Sequence, residues 1–445
     1  MEIKKSFILF VVAVQATTLL GQVTKTAGFN AINRPKNLGD TALVELVQKQ
    51  TFRYFWEFGH PVSYMARERS NIAYDYGNEV VTTGGTGFGI MAMIVAAERK
   101  WVPRDSVSTR LLKMVRFLSK ANAYHGVFPH WLNGATGQTI PFSRKDDGAD
   151  LVESSYLFQG LLCARQYFNG DSKTESELRN RINWLWGDIE WNWFTKGGEE
   201  VLYWHWSPNN GWSMNFPVRG FNECLIMYVL AASGERYPVT NAVYHRGWAQ
   251  SNFFKNGKEY YGIKLPLGFD YGGPLFFSHY SFLGLNPRGL KDRYADYWEQ
   301  NQNHTLINYK HCVINPGKFE GYGPDCWGLT ASDAVTGYDA HSPDNDHGTI
   351  SPTAALSAFP YTPNESMRAL KHFYYDLGDK LWTEYGFIDA FNEGKNWYAK
   401  SHLAIDQGPI IVMIENYRSG LLWNLFMSCP EIKNGLKKLN FENSK

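Results

Sequence analysis

About a dozen helical segments follow one another through the chain, and that succession constrains the fold more than any other feature. The spacing of apolar residues predicts helices over 41–58, 86–99, 106–121, 150–168, 176–193, 223–232, 238–253, 291–309, 353–359, 365–375, 408–428 and 430–439. A glycine turn, TTGGTG, is expected just before the second of them. Short alternating stretches, EEVLYWHW, KEYYGIKLPLG and EYGFIDAF, read as small β-hairpins on one rim. No Pro- or Ser-rich linker interrupts the series, and no repeat of fixed period marks an open helical solenoid. The simplest arrangement is all-α: six helical hairpins forming concentric inner and outer rings, an (α/α)6 toroid, with residues 23–445 as one domain. Loops at one end of the inner helices would then form the cleft.

Composition narrows the function. With 44% hydrophobic residues the chain can bury a large core. Lys plus Arg number 44 and Asp plus Glu 43, the formal charge is +1 and there is no basic block, so nucleic acid is not an expected partner. Aromatic residues make up 16%, including 16 Trp and 26 Tyr, more than packing alone requires, and extended carbohydrate sites use such rings. At the N-terminus Lys4 and Lys5 precede an apolar run broken by Gln15, Thr17 and Thr18, too short to span a bilayer; residues 1–22 read as a secretory signal cut near Gly21. An exported monomer without a membrane span is therefore expected. Cys163 and Cys224 lie in apolar helical runs and read as buried thiols, while Cys312 and Cys326 are candidates for a loop disulfide after export. The run Asp344–His347 lacks the twelve-residue calcium-loop pattern, and neither a phosphate loop nor a G-x-S-x-G elbow occurs, so neither metal nor cofactor is expected.

The stretch 203–223, YWHWSPNNGWSMNFPVRGFNE, sets Trp204, Trp206, Trp212 and Phe216 among turn formers, which places them on a loop. Flat rings there offer apolar faces to a pyranose, and Asn209, Asn210, His205 and Arg219 can donate hydrogen bonds to hydroxyls. The competing reading makes the Trp residues core filler. Glu223 opens a helix, where it is either a catalytic carboxyl or a charge that favours the helix start. A second cluster, Asp146, Asp147, Asp150 and Glu153, also meets a helix start. Asp150 with Glu153 three residues on fits a capping box with Asp in place of Ser or Thr, yet four acids exceed what one cap needs. Later come Asp389 and Asp406, the second at the entrance to a strongly apolar helix, with capping again the alternative.

The segments TFRYFWEFGHP, MARERS, VTTGGTGFGIMAMIVAAER, DLVESSYLFQGLL, GFNE, DNDHGTISPTAALSAFPYTP and IDQGPIIVMIENYRSGLLW resemble those of the bacterial glucoamylase-like family that includes endo-β-1,2-glucanases. The resemblance runs over nearly the whole mature chain. It implies the (α/α)6 toroid, a neutral glucan as partner, and inverting hydrolysis of β-1,2-glucan to sophorooligosaccharides without a metal. It also implies that the family's acidic positions fall on Asp146, Asp150, Glu153 and Glu223, with the late acid on Asp406 and Asp389 as its rival. Fold alone does not settle the substrate. Another neutral glucan, a polysaccharide lyase on the same toroid and a non-catalytic glycan-binding protein are the alternatives, although a lyase wants cations at its cleft, where this chain concentrates acids.

Overall fold

Helices buried all round alternate along the chain with helices buried on one face only, and that alternation sorts them into two rings. The computed structural model describes residues 34–71 and 77–443, so the segment read as a signal lies outside the described residues. In chain order, α1 (Asp40–Trp56) is amphipathic and α2 (Thr83–Glu98) buried along nearly its whole length; α3 (Arg104–Leu118) and α4 (Leu151–Tyr167) repeat the pair, as do α5 (Lys173–Gly187) and α6 (Leu225–Ser233). The fourth pair is irregular: a π-helical turn, Val243–Trp248, stands outside, and two 3-10 turns, Leu275–Ser278 and Ser281–Leu283, stand inside. Then α7 (Tyr297–Ile314) precedes the buried α8 (Pro352–Leu356). Last, α9 (Pro363–Lys371) and the single turn α10 (Gly378–Leu381) precede the buried α11 (Ala404–Arg418). Packing of α2 against both α4 and α11, of α4 against α6, of α6 against Ser281–Leu283 and of α8 against α11 runs round the inner ring, and the Tyr361 hydroxyl, just after α8, donates to Ser278 O at 3.0 Å to close it. The result is the expected (α/α)6 toroid. Two further helices, α12 (Leu421–Ser428) and α13 (Pro430–Lys438), pack on α4 and α6.

Where the regular periods fail, the reasons are local. TTGGTG is not a turn; it is the first turn and a half of α2, and its glycines are there for close approach. A Cβ on Gly87 would lie 2.1 Å from the Tyr156 carbonyl oxygen, and one on Gly84 2.5 Å from the Glu153 carboxylate, so two inner helices touch through backbone. We expect Gly87→Ala to cost about 3 kcal/mol, the upper range for overpacking, because the clashing atom is main chain; thermal or urea denaturation measures it, and an unchanged midpoint would mean α2 and α4 can separate freely. The helix expected over 238–253 shrinks to the π-helical turn. The one expected from 291 starts at Tyr297, because Asp296 caps it, accepting from the N–H groups of Trp298 (3.0 Å) and Glu299 (3.3 Å). The long helix over 408–428 is two, parted at Gly420, whose left-handed backbone (φ +71°) ends α11. All five cysteines are free and buried, so Cys312 and Cys326 do not pair.

Two of the expected rim hairpins form: Glu259–Tyr260 pairs with Ile263–Lys264, and Trp382–Thr383 with Gly386–Phe387. The third, over 199–206, does not fold on itself. Instead His205–Trp206 pairs antiparallel with Ala149–Asp150, which brings the Trp-rich loop beside the acids at the start of α4. Among the described residues no helix is long and apolar enough to cross a membrane.

Candidate active site

The inner helices α2, α4, α6 and α11 all bring their N-terminal ends to one mouth, and each contributes to it. At α4 the Asp150 carboxylate divides its work. Its Oδ1 caps the helix, accepting from Val152 N (3.1 Å) and Glu153 N (2.9 Å), while Oδ2 lies 2.9 Å from His130 Nδ1 and 3.8 Å from His205 Nε2. Glu153 does not complete a capping box; its Oε2 reaches across to the first turn of α2 and accepts from Gly84 N at 2.8 Å. Asp146 joins through His205 Nε2 at 3.2 Å. Asp147 stays outside the cluster and braces the loop, accepting from Ser207, Asn209 and Asn210.

Charge in this cluster is set by burial and proximity together. Burial alone would lower His130, but the charges of Glu153, Asp150 and Asp146 overcome it and raise it to about 10, so it stands as an imidazolium. Burial would raise Asp150; its bond to His130 and the charges of His130 and His205 bring it below the usual carboxylate range. Burial with the neighbouring Asp150 charge raises Glu153. Ligand atoms of His130, Asp146 and Asp150 fall within 4.8 Å of one another.

Glu223 lies two residues before α6 and is buried, 8% exposed. Desolvation pushes its carboxyl up to about 7, and the Glu153 charge adds to the rise. The helix start beside it favours the anion, and burial wins. A floor of rings, Phe88, Tyr156 and Tyr280, separates it from the opposite wall, with centroids 5.1 to 5.7 Å apart. On that wall the Tyr280 hydroxyl donates to Asp406 Oδ1 at 3.4 Å, and Asp406, in the first turn of α11, touches Asp389. Burial raises Asp406 to about 7. Arg69 pairs with Glu68 (2.9 Å) and with Asp333 (3.3 Å), and Tyr338 stands close to Asp406 and Asp389.

The three Trp rings are half-buried, backed on the core and open on the other side. Trp206 meets Trp193 at 5.9 Å and His125 at 5.0 Å; Trp212 meets Tyr203 at 5.7 Å. Arg219 is not brought to the acids: it is exposed and donates to Gly247 O at 3.1 Å. The expected acids thus fall into two sets, Asp146, Asp150, Glu153 and Glu223 on one side and Asp389 with Asp406 on the other. Sequence reasoning did not single out His130, Glu68, Arg69, Asp333, Tyr280 or Tyr338. Of these only Glu68 and Arg69 left a trace, inside the segment MARERS.

A double ring of helices with an acid-lined, aromatic-floored mouth places the chain among the (α/α)6 toroids. Residues 215–430 match the family described as "Putative glucoamylase". The chain is 60% identical to a "putative glucoamylase" from Bacteroides uniformis (TM-score 0.90; 92% of this chain and 99% of that one). It is 55% identical to the endo-beta-1,2-glucanase of Chitinophaga pinensis, solved with sophorotriose and glucose (TM-score 0.89; 92% and 99%). It is also 45% identical, over 90% of its length, to an exo beta-1,2-glucooligosaccharide sophorohydrolase of Parabacteroides distasonis, of whose length it spans 58%. The chain belongs to this glucoamylase-like family.

If the open ring faces carry sugar, Trp204→Ala, Trp206→Ala and Trp212→Ala should each raise KM for long chains by the equivalent of about 1–3 kcal/mol with little change in kcat, since stacking holds ground state and transition state alike. Steady-state kinetics on a long and a short oligomer test this; unfolding of all three variants would return the rings to the core.

Proposed function

We propose that the protein is a glycoside hydrolase that cleaves β-1,2-glucan internally, with inversion, to sophorooligosaccharides. Glu223, protonated, gives its proton to the O2 leaving oxygen. Asp406, ionised, takes a proton from the water that attacks C1 from the opposite face. The His130, Asp150, Glu153 and Asp146 cluster binds hydroxyls and, through Glu153, helps keep Glu223 protonated. The reading is carried by one observation: buried carboxyls stand at the third and sixth positions of the inner ring, Glu223 near Tyr156 and Asp406 bonded to Tyr280, two rings of the floor that meet at 5.7 Å. The sophorotriose bound by the Chitinophaga relative supports the linkage. A second reading, release of sophorose from chain ends, is favoured by the name of the Parabacteroides relative. We also propose export, on the strength of Lys4, Lys5 and the apolar run after them, and a monomeric state, because the charge is balanced and no heptad occurs.

Early products from β-1,2-glucan separate the readings. Internal cleavage gives a spread of oligosaccharides and a fast fall in chain length; sophorose alone from the first minutes would favour the exo reading. Cleavage of starch instead would move the substrate, and unsaturated products from a uronate polymer would make the protein a lyase.

A further inference from the structure

Asp389 and Asp406 come from different elements, one just before the strand Phe391–Asn392 and the other in the first turn of α11, yet both are 1% exposed and in hydrogen-bond contact. Each has one oxygen with an outside donor. Asp389 Oδ2 accepts the N–H of Asp333 at 2.7 Å, and Asp406 Oδ1 accepts from the Tyr280 hydroxyl at 3.4 Å. The other two oxygens, Asp389 Oδ1 and Asp406 Oδ2, are buried, and no donor elsewhere among the described residues reaches them. Two buried carboxylate groups in contact cannot both be anionic, so one proton must lie between them.

The surroundings decide which holds it. Facing Asp406 are Tyr280 from between the two 3-10 turns, Tyr338 and Asp333 from the hairpin Ala331–Ala340, and Glu68 with its partner Arg69. His402, four residues before Asp406, is kept neutral by burial, with Ser70 on one ring nitrogen and Thr383 on the other. From α8 comes only Thr353, whose hydroxyl donates to the Asp406 carbonyl at 2.8 Å; α12 has no titratable side chain, and the one acid of α2, Glu98, ends that helix. Asp406 alone of the pair sits in a helix first turn, where an anion is favoured. Both feel the Asp333 charge, and Asp389 lacks that help.

We propose that Asp389 is a positioning residue: it carries the shared proton and donates it in a hydrogen bond to Asp406, holding Asp406 ionised and aimed at the mouth of the ring. This rests on the role of Asp406 as base proposed above. Burial raising Asp389 well above the carboxylate range, while its bond pulls Asp406 down, accords with it.

The test compares Asp389→Asn, Asp389→Ala and Asp406→Asn by kinetics on β-1,2-glucan and by infrared difference spectra of the carboxyl C=O stretch. In Asp389→Asn the amide oxygen can accept from Asp333 N and the amide N–H can replace the shared proton. We expect kcat within about threefold of wild type and the band of the shared proton lost from the protonated-carboxyl region, that of Glu223 remaining. Asp389→Ala should lose at least about tenfold in kcat with KM nearly unchanged, and its acid limb should move to higher pH. The proposal is overturned if Asp389→Asn loses no protonated-carboxyl intensity relative to wild type, if that variant is as poor as Asp389→Ala, or if Asp389→Ala keeps full activity. Near-normal turnover in Asp406→Asn would remove the base itself and the proposal with it. That outcome is distinct from an inactive Asp406→Asn accompanied by indifferent Asp389 variants.

Discussion

Glu223→Gln should lower kcat by about 10²–10⁴-fold, the usual worth of a positioned general acid, and at the same time make the protein more stable above neutral pH. Both effects follow from one fact: the carboxyl is buried and pushed up to about 7. Its unfolded value is near 4.5, so between pH 4.5 and 7 the folded state binds a proton that the unfolded state releases. Stability is therefore lost as pH rises through that window, amounting to about 3 kcal/mol by pH 8. An amide has no charge to desolvate, so Glu223→Gln recovers that loss at pH 8 and changes little at pH 4. Urea titrations of both proteins at the two pH values measure it. A variant that loses activity and is equally destabilised at both would mean that Glu223 serves packing and not proton donation. In the wild type, kcat/KM should fall above about pH 7 as the acid ionises.

Asp406→Asn should cost a similar factor, about 10²–10⁴ in kcat, because the attacking water loses its proton acceptor. KM should hardly move, since the amide keeps the hydrogen-bonding shape toward Tyr280. The acid limb of the pH profile should also disappear, because it reports the ionisation of the base. The competing source of a base is the cluster at α4. Asp150, held ionised by His130, is the rival base of that set, but the same contacts make it a weak proton acceptor and one of its oxygens is already committed to the α4 cap. Near-normal turnover in Asp406→Asn together with a dead Asp150→Asn would therefore transfer the role. Because Asp150→Asn also disturbs the cap, its melting temperature has to be read alongside its rate.

The two rings were legible because burial writes itself into sequence. LIMYVLAAS in α6 is apolar on every side and RDSVSTRLLKMVRFL in α3 only on one, so inner and outer helices differ before any contact is known. Glycine was misread for the opposite reason. TTGGTG has the composition of a turn, and only the approach of α4, with Tyr156 and Glu153 against Gly87 and Gly84, explains why a helix tolerates it. The fourth pair of the ring was invisible as such, because LFFSHYSFL fills an inner position through buried aromatic packing without sustaining a helical period. Of the residues the proposed mechanism uses, those whose chemistry needs no partner were candidates from sequence: Glu223, Asp406 and the acids at the start of α4. His130, Tyr280 and Asp333 could not, since a His, a Tyr or an Asp gains its role here only from what the fold sets beside it. For the same reason Asp389 read as a rival to Asp406 until the fold set the two in contact.

The most direct check on the account is the anomer released first, followed by proton NMR during cleavage of β-1,2-glucan before mutarotation intervenes. A carboxyl that protonates the leaving oxygen and a second that activates water on the opposite face give the α-anomer at the new reducing end. The β-anomer as first product would require a covalent intermediate and would contradict the pairing of Glu223 with a water held by Asp406.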